Sequence, residues 1–392
     1  MALTVPRGLR VLPTALLVAV LAPQSMTSPA VPGEPSPRSP EHPLGPTLPT
    51  GDAERGPGMA GIWIRPAELM ELPRTGPAWE SLRDRAHRPC PRPDLADQDS
   101  TANTCVLAKA LVYARTGRAQ LRAEVVHALR HLATDGAYEG RALALGRNLA
   151  AYVFAADLVD VPERDPALDR LLRIRFRELR STPTPGAASD LVDCHERRPN
   201  NWGTHCGASR LAVAAYLGEA EEIERAARVF RGWLGDRSAY AGFTFGGPYG
   251  DRDHSWECDP ERPKGINPRG CTRYGHNLDG VLPDDQRRGG SFTWPPPAER
   301  YVWEALQGAL VQAVILQRAG YDPFEWEDRA LLRAVRWLHE EANYPAEDGN
   351  TWQPHIINRR YGTSFPAPTP SRPGKNVGWT DWTHGPSRRA QP

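Results

Sequence analysis

From about residue 100 onward, apolar residues recur at helical spacing, in pairs of segments joined by a short turn containing glycine. The spacing predicts a helix over 104–116 stopped at Gly117 and a partner over 119–133. It predicts a second pair over 204–217, stopped at Gly218, and 220–234, and a third over 300–319, stopped at Gly320, and 323–343. Segments 147–159 and 166–180 form a further candidate pair, joined by a turn around Pro162 and Asp165. A lone helical hairpin leaves its apolar face in water, so such hairpins must stack on one another. Stacked openly they make a solenoid, and closed into a ring they make an α/α toroid. The repeat spacing is too irregular for a standard solenoid, and long aromatic loops separate the hairpins, so the expected fold is an all-α toroid. Two stretches, 241–297 and 344–384, break the helical pattern and are rich in functional residue types. Loops of that length in a compact domain usually bind something, which makes them the place to look for a site.

The N-terminus changes the expected compartment. Arg7 and Arg10 precede an apolar stretch over 11–22, and small residues follow at Ser25, Ser28 and Ala30, so 1–30 reads as a secretory signal peptide. The apolar run is short and interrupted by Pro13, and no later segment reaches the roughly 20 apolar residues of a transmembrane helix. Residues 31–60 are dominated by Pro, Gly, Ser and Glu, as in a linker, which leaves 61–392 as one large domain. The expected product is secreted or periplasmic, with no membrane association once the signal is cleaved. With 48 basic and 47 acidic residues the net charge is +1, so no overall field draws the chain to nucleic acid. Six cysteines in an exported chain suggest disulfides, and pairing of sequence neighbours (90/105, 194/206, 258/271) is the choice among about 15 connectivities. Zinc is the weaker reading, because no CxxC or HExxH spacing occurs, and no metal or cofactor is expected. The oligomeric state is left open.

Three constellations carry candidate chemistry. Arg198-Pro-Asn-Asn-Trp-Gly-Thr-His205 leads into an apolar helix and offers amides at Asn200 and Asn201, a flat ring at Trp202 and an imidazole at His205. Helix capping accounts for one Asn, but hardly for the whole set. The segment from Tyr274 through Trp294 to Tyr301 gathers His276, Asn277, Asp284, Asp285, Arg287 and Arg288 among several glycines. A solvated charged loop is the bland alternative, yet so much Trp, Pro and Gly suggests a shaped surface. Arg288 is the candidate for holding a carboxylate, whose geometry a guanidinium matches. The third cluster, 251–258, includes His254 and fits no specific metal pattern, so a loop pinned at Cys258 is the better reading. In the tail, Trp352, His355, Tyr361, Lys375, Trp379, Trp382 and His384 form either a sugar-stacking wall or a strap packed on the core.

The NNWGTH segment, the YGHNLDGVLPDDQRRGG loop and the WPPPAERYVWEALQG helix resemble those of alginate-lyase-like proteins of polysaccharide lyase family 38, from about Gly61 onward. The resemblance implies an incomplete (α/α) toroid that cleaves alginate or a β-1,4-glucuronan by β-elimination. Such a reaction removes the weakly acidic C5 proton of a uronide, so the neighbouring carboxylate must be neutralised by preorganised donors. Asn201, with Asn200 or Arg288, suits that task. Tyr301 suits the base and acid roles when proton and leaving group share a face. A free tyrosine ionises near pH ~10, so a nearby cation such as Arg288 is needed to favour phenolate. His205 is the natural base for the opposite face. Related lyases often place His directly beside the Asn, whereas Trp202 follows Asn201 here, so His254 or His276 could supply the imidazole instead. The remaining candidates for substrate contact are Asn200, Trp202, Asn277, Arg287, Trp294, Trp352 and His355. Two other readings compete: a toroidal glycoside hydrolase, needing two carboxylates from Asp157, Asp253, Asp284, Asp285 and Glu304, and a non-catalytic binder of acidic glycans.

Overall fold

Helices form where the apolar spacing places them. The computed structural model describes residues 61–185, 190–246, 253–368 and 373–385; the segments read as signal peptide and linker lie outside these, as do Asp251 and Arg252. Two short helices, α1 (Pro66–Glu71) and α2 (Pro77–His87), precede α3 (Ala102–Thr116) and α4 (Ala119–Thr134). Then come α5 (Ala142–Leu158), α6 (Val161–Arg164), α7 (Pro166–Ser181), α8 (Leu191–Arg197), α9 (Asn201–Leu217) and α10 (Ala220–Leu234). A two-residue hairpin follows, β1 (Thr272–Arg273) and β2 (His276–Asn277), antiparallel with Arg273 opposite His276. The chain continues through α11 (Pro283–Gln286), α12 (Arg300–Arg318), α13 (Trp326–Glu340), α14 (Gln353–Tyr361) and α15 (Thr380–Thr383). The described residues are thus mostly helical with almost no strand, an all-α composition as the spacing predicts.

Two of the predicted hairpins close as α3/α4 and α9/α10, with left-handed Gly117 and Gly218 ending α3 and α9. The third pair forms as α12 and α13, but α13 packs mainly on α10 and α14 and meets α12 through Trp303 and His339. The fourth pair differs. Both helices form, but α6 intervenes, and α7 packs on α4 and α9. Helix α5 also begins five residues before Arg147, because every residue from Ala142 to Leu158 is buried. A helix buried all round has no polar face, so periodicity cannot mark its start. In the 344–384 stretch α14 forms as well, with Pro354 in its first turn, where proline's missing N–H goes unmissed.

Two layers result. Helices α3, α5, α9 and α12 pack side by side in that order, while α4 lies on α3, α10 on α9, and α13 on α10. The inner helices are apolar on most sides, whereas α7, α10 and α13 bury one stripe and leave the other wet. Two glycines let the inner helices approach closely. A Cβ at Gly146 of α5 would lie 2.8 Å from Cys206 N of α9, and one at Gly308 of α12 would lie 2.3 Å from the Thr204 carbonyl carbon. Helix α9 is therefore clamped from both sides at the level of His205.

The cysteines pair between sequence neighbours, Cys90–Cys105, Cys194–Cys206 and Cys258–Cys271, with Cα–Cα distances of 5.7, 6.0 and 5.8 Å. Closing loops of this length stabilises by roughly 3 kcal/mol each in the chain-entropy account. No helix among the described residues is long and apolar enough to cross a membrane.

Beside Cys258, burial pushes the Glu257 carboxyl from an ordinary 4.5 up to about 8. A raised carboxyl pKa means the folded chain holds a proton that the unfolded chain has released. The contribution is fully present below pH 4.5 and is lost as pH rises through about 8. Glu257→Gln should therefore flatten the decline of the unfolding free energy, read from urea titrations, between these limits, by at most about 5 kcal/mol. Parallel pH profiles of the two proteins would contradict that assignment.

Candidate functional site

The first turn of α9 positions the site. Asn200 caps the helix, its Oδ1 accepting from Trp202 N at 3.2 Å, while its Nδ2 donates to Asp284 at 2.8 Å. Asp284 also accepts from Arg287 Nε at 3.0 Å. The backbone N–H of Asn201 donates to Asp285 at 3.2 Å. Two buried carboxyls thus sit against a helix N-terminus, where the partial positive charge favours them. Burial, and then the neighbouring Asp284, pushes the Asp285 carboxyl well above the usual range.

With its backbone held this way, the Asn201 side chain is oriented by two partners. Its Nδ2 donates to Glu304 at 3.2 Å and its Oδ1 accepts from Arg288 Nη1 at 3.2 Å. Glu304, one turn into α12, also pairs with Arg147 of α5, whose side chain is 5% exposed. Arg288 reaches further: its guanidinium carbon lies 3.8 Å from the centre of the Tyr301 ring. From the other side Arg300 donates to Tyr301 Oη at 3.3 Å, with its guanidinium 5.1 Å from the ring centre. Tyr301 itself stands in the first turn of α12, its N–H capped by Glu299 at 3.0 Å, and is half-buried. Three guanidiniums, from Arg147, Arg288 and Arg300, and the carboxyls of Glu299, Glu304 and Asp285 therefore surround Asn201 and Tyr301. With Asp285 pushed up by burial, the guanidiniums outnumber the carboxylates, a setting suited to an anionic ligand.

His205 lies one helical turn beyond Asn201 and is fully buried. Asn376 Nδ2 donates to Gly146 O at 2.7 Å, so its Oδ1 faces His205 Nδ1 and accepts from it. The proton is thereby assigned to Nδ1, and Nε2 is a buried nitrogen without a hydrogen-bond partner among the described residues. Burial, followed by the Arg147 charge, holds the imidazole well below its ordinary range. The neighbouring Lys375 N donates to Gln307 of α12 at 2.7 Å and Lys375 O accepts from Asn103 of α3 at 2.8 Å. The 373–385 segment is therefore a strap across α3, α5, α9 and α12.

No protein-family model matches the chain, and no curated protein does.

Of the residues singled out from sequence, Asn201, Arg288 and Tyr301 come together. His205 sits beneath them, sealed from solvent. Asn200 and Arg287 are engaged in holding Asp284. Trp202 lies at the helix start with the Arg198 guanidinium 5.4 Å from its ring. His254 contributes its carbonyl to Arg273 at 2.7 Å, and Asn277 bonds Glu341 at 2.8 Å. Trp352 is fully buried under the strap, where a Cβ at Gly374 would lie 2.0 Å from its Nε1. His355 is buried in α14. These last four take no part in the Asn201–Tyr301 cluster. His276 and Trp294 stack on each other in a separate aromatic group.

Arg147, Arg300 and Asn376 were not legible as site residues. Arg147 lies inside an apolar helix and Asn376 in the tail, and neither carries a local motif. A charged residue within a buried helix was the available signal at Arg147, since such a charge needs a partner.

Proposed function

We propose that the protein is a polysaccharide lyase that cleaves a 4-linked uronic-acid polymer by β-elimination, on an incomplete (α/α) toroid whose inner arc is α3, α5, α9 and α12. The observation that carries this reading is Arg288, which touches the Asn201 amide and the face of Tyr301 at once. A uronate carboxylate placed on the free N–H groups of Arg288 would have its charge neutralised beside the phenolic oxygen. Tyr301 as phenolate takes the C5 proton, and Arg300 and Arg288 compensate its negative charge. The C5 electron pair forms the C4–C5 double bond as the C4–O bond breaks, and Tyr301 returns the proton to the departing oxygen. His205, being sealed, serves in this scheme to hold α9 against the strap, and the disulfides fit an exported protein.

A hydrolase would need two carboxylates across a cleft. Asp157 accepts from Gly61 and Ile62 N–H groups, and Asp284 and Asp285 lie under α9. Asp253 accepts from Ser255 N at 2.8 Å within its own loop, and Glu304 stands one turn beyond Tyr301 on α12.

The deciding experiment is incubation with alginate blocks, glucuronan and hyaluronan, followed by ultraviolet absorbance. New absorbance from the C4–C5 double bond is expected; new reducing ends without it would overturn the lyase reading. Arg288→Lys keeps a charge but not the fork that reaches both neighbours. It should lower kcat/KM by about 10²-fold, and wild-type kinetics in that variant would remove Arg288 from the mechanism.

A further inference from the structure

The loop between Arg288 and Arg300 begins and ends at the proposed catalytic cluster, and its middle carries aromatic rings. Phe292 lies 4.6 Å from Tyr274 by ring centres, and Trp294 stacks on His276 at 4.2 Å with 15° between planes. Phe292 also packs 5.0 Å from buried Trp256, which roots the group in the core. The far side is open: Tyr274 is 54% exposed.

Tyr274 is an unexpected residue where it stands. It and Gly275 are the two turn residues of the β1–β2 hairpin, with φ of 54° and 78°. Positive φ at both positions is the type I′ turn, which favours Asn, Asp or Gly at the first position. A bulky side chain there costs about 1 kcal/mol or more. An exposed aromatic ring kept at a strained position points to a use for its surface. The Arg273 guanidinium, 4.8 Å from the same ring centre, puts a positive charge at the edge of the patch.

We propose that Tyr274, His276, Phe292 and Trp294, with Arg273, form a second subsite that stacks a pyranose ring of the same acidic chain, away from the bond being cleaved. This rests on the polyuronate reading. Flat apolar rings match the C–H face of a sugar, and Arg273, anchored through Nη1 on the His254, Ser255 and Glu257 carbonyls, offers its remaining N–H edge to the carboxylate. Trp294 lies seven positions before Tyr301, a span of at most ~25 Å even when extended. One oligosaccharide can therefore occupy both places. The subsite would make the enzyme favour long chains over short ones.

Tyr274→Asn and Trp294→Ala test this. Asn suits the turn, so Tyr274→Asn should melt at the same temperature as wild type or higher, which separates loss of binding from loss of fold. In native gels containing alginate or glucuronan, both variants should be retarded less than wild type. The ratio of kcat/KM on polymer to kcat/KM on a trisaccharide should fall roughly tenfold. If wild type is retarded and both variants match it, the subsite is wrong while the acidic-glycan reading stands. If wild type is neither retarded nor active on any polyuronate, that reading fails and takes the subsite with it. A lowered melting temperature in Tyr274→Asn with unchanged retardation would mark the aromatic group as packing alone.

Discussion

Tyr301→Phe is expected to lower kcat on the preferred polyuronate by about 10³-fold or more, while the protein still binds the polymer. The substitution removes one oxygen and leaves the ring that Arg288 packs against at 3.8 Å. The N-terminal cap of α12 involves only the Tyr301 backbone. Fold and cleft should therefore persist, and what is lost is the atom that carries the proton in both halves of the reaction. General acid–base groups contribute typically ~10²–10⁴-fold, and a residue serving as base and then acid belongs toward the upper end. Absorbance of unsaturated product measures the first effect and retardation in polymer-containing gels the second. Undiminished cleavage would assign the proton transfer to another residue.

The largest effect on stability is expected at Glu304. Glu304→Ala leaves Arg147 charged and nearly sealed at the contact of α5, α9 and α12, and also removes the acceptor of Asn201 Nδ2. Removing one partner of a buried ion pair costs about 3–5 kcal/mol, because the other is left uncompensated. Chemical denaturation would measure it. Replacing both partners together, as in Arg147→Met with Glu304→Leu, should recover most of the loss, since two apolar side chains carry no charge to desolvate. A Glu304→Ala variant within 1 kcal/mol of wild type would mean that water reaches Arg147 and that the pair is not a structural hub.

How much of this was readable along the chain depended on distance in sequence. The outer helices α4, α10 and α13 were legible because a half-buried helix writes its burial as a period of 3.6 residues, and the inner α3 and α9 because a terminal glycine marks their stop. The disulfides were also within reach, since each joins cysteines 12–15 residues apart. The start of α5 was not, for a helix buried on every side has no alternation to read. Asn200 shows a different limit. Its residue type signals capping and ligand binding alike, and its bonds to Trp202 and Asp284 decide for the cap.

The sequence by itself pointed to the main helices and their glycine stops, offered neighbour pairing as one choice for the cysteines, and placed Asn201 and Tyr301 near helix starts with Arg288 in the loop between. Only the tertiary structure decided that these three meet, that Arg147 and Glu304 join them across 157 positions, and that Asn376 reaches His205 across 171. The reason is physical. Helical periodicity reports which face of a segment avoids water, but not which other segment covers it. That choice is made by shape, here by Gly146 and Gly308, which let α5 and α12 close on α9.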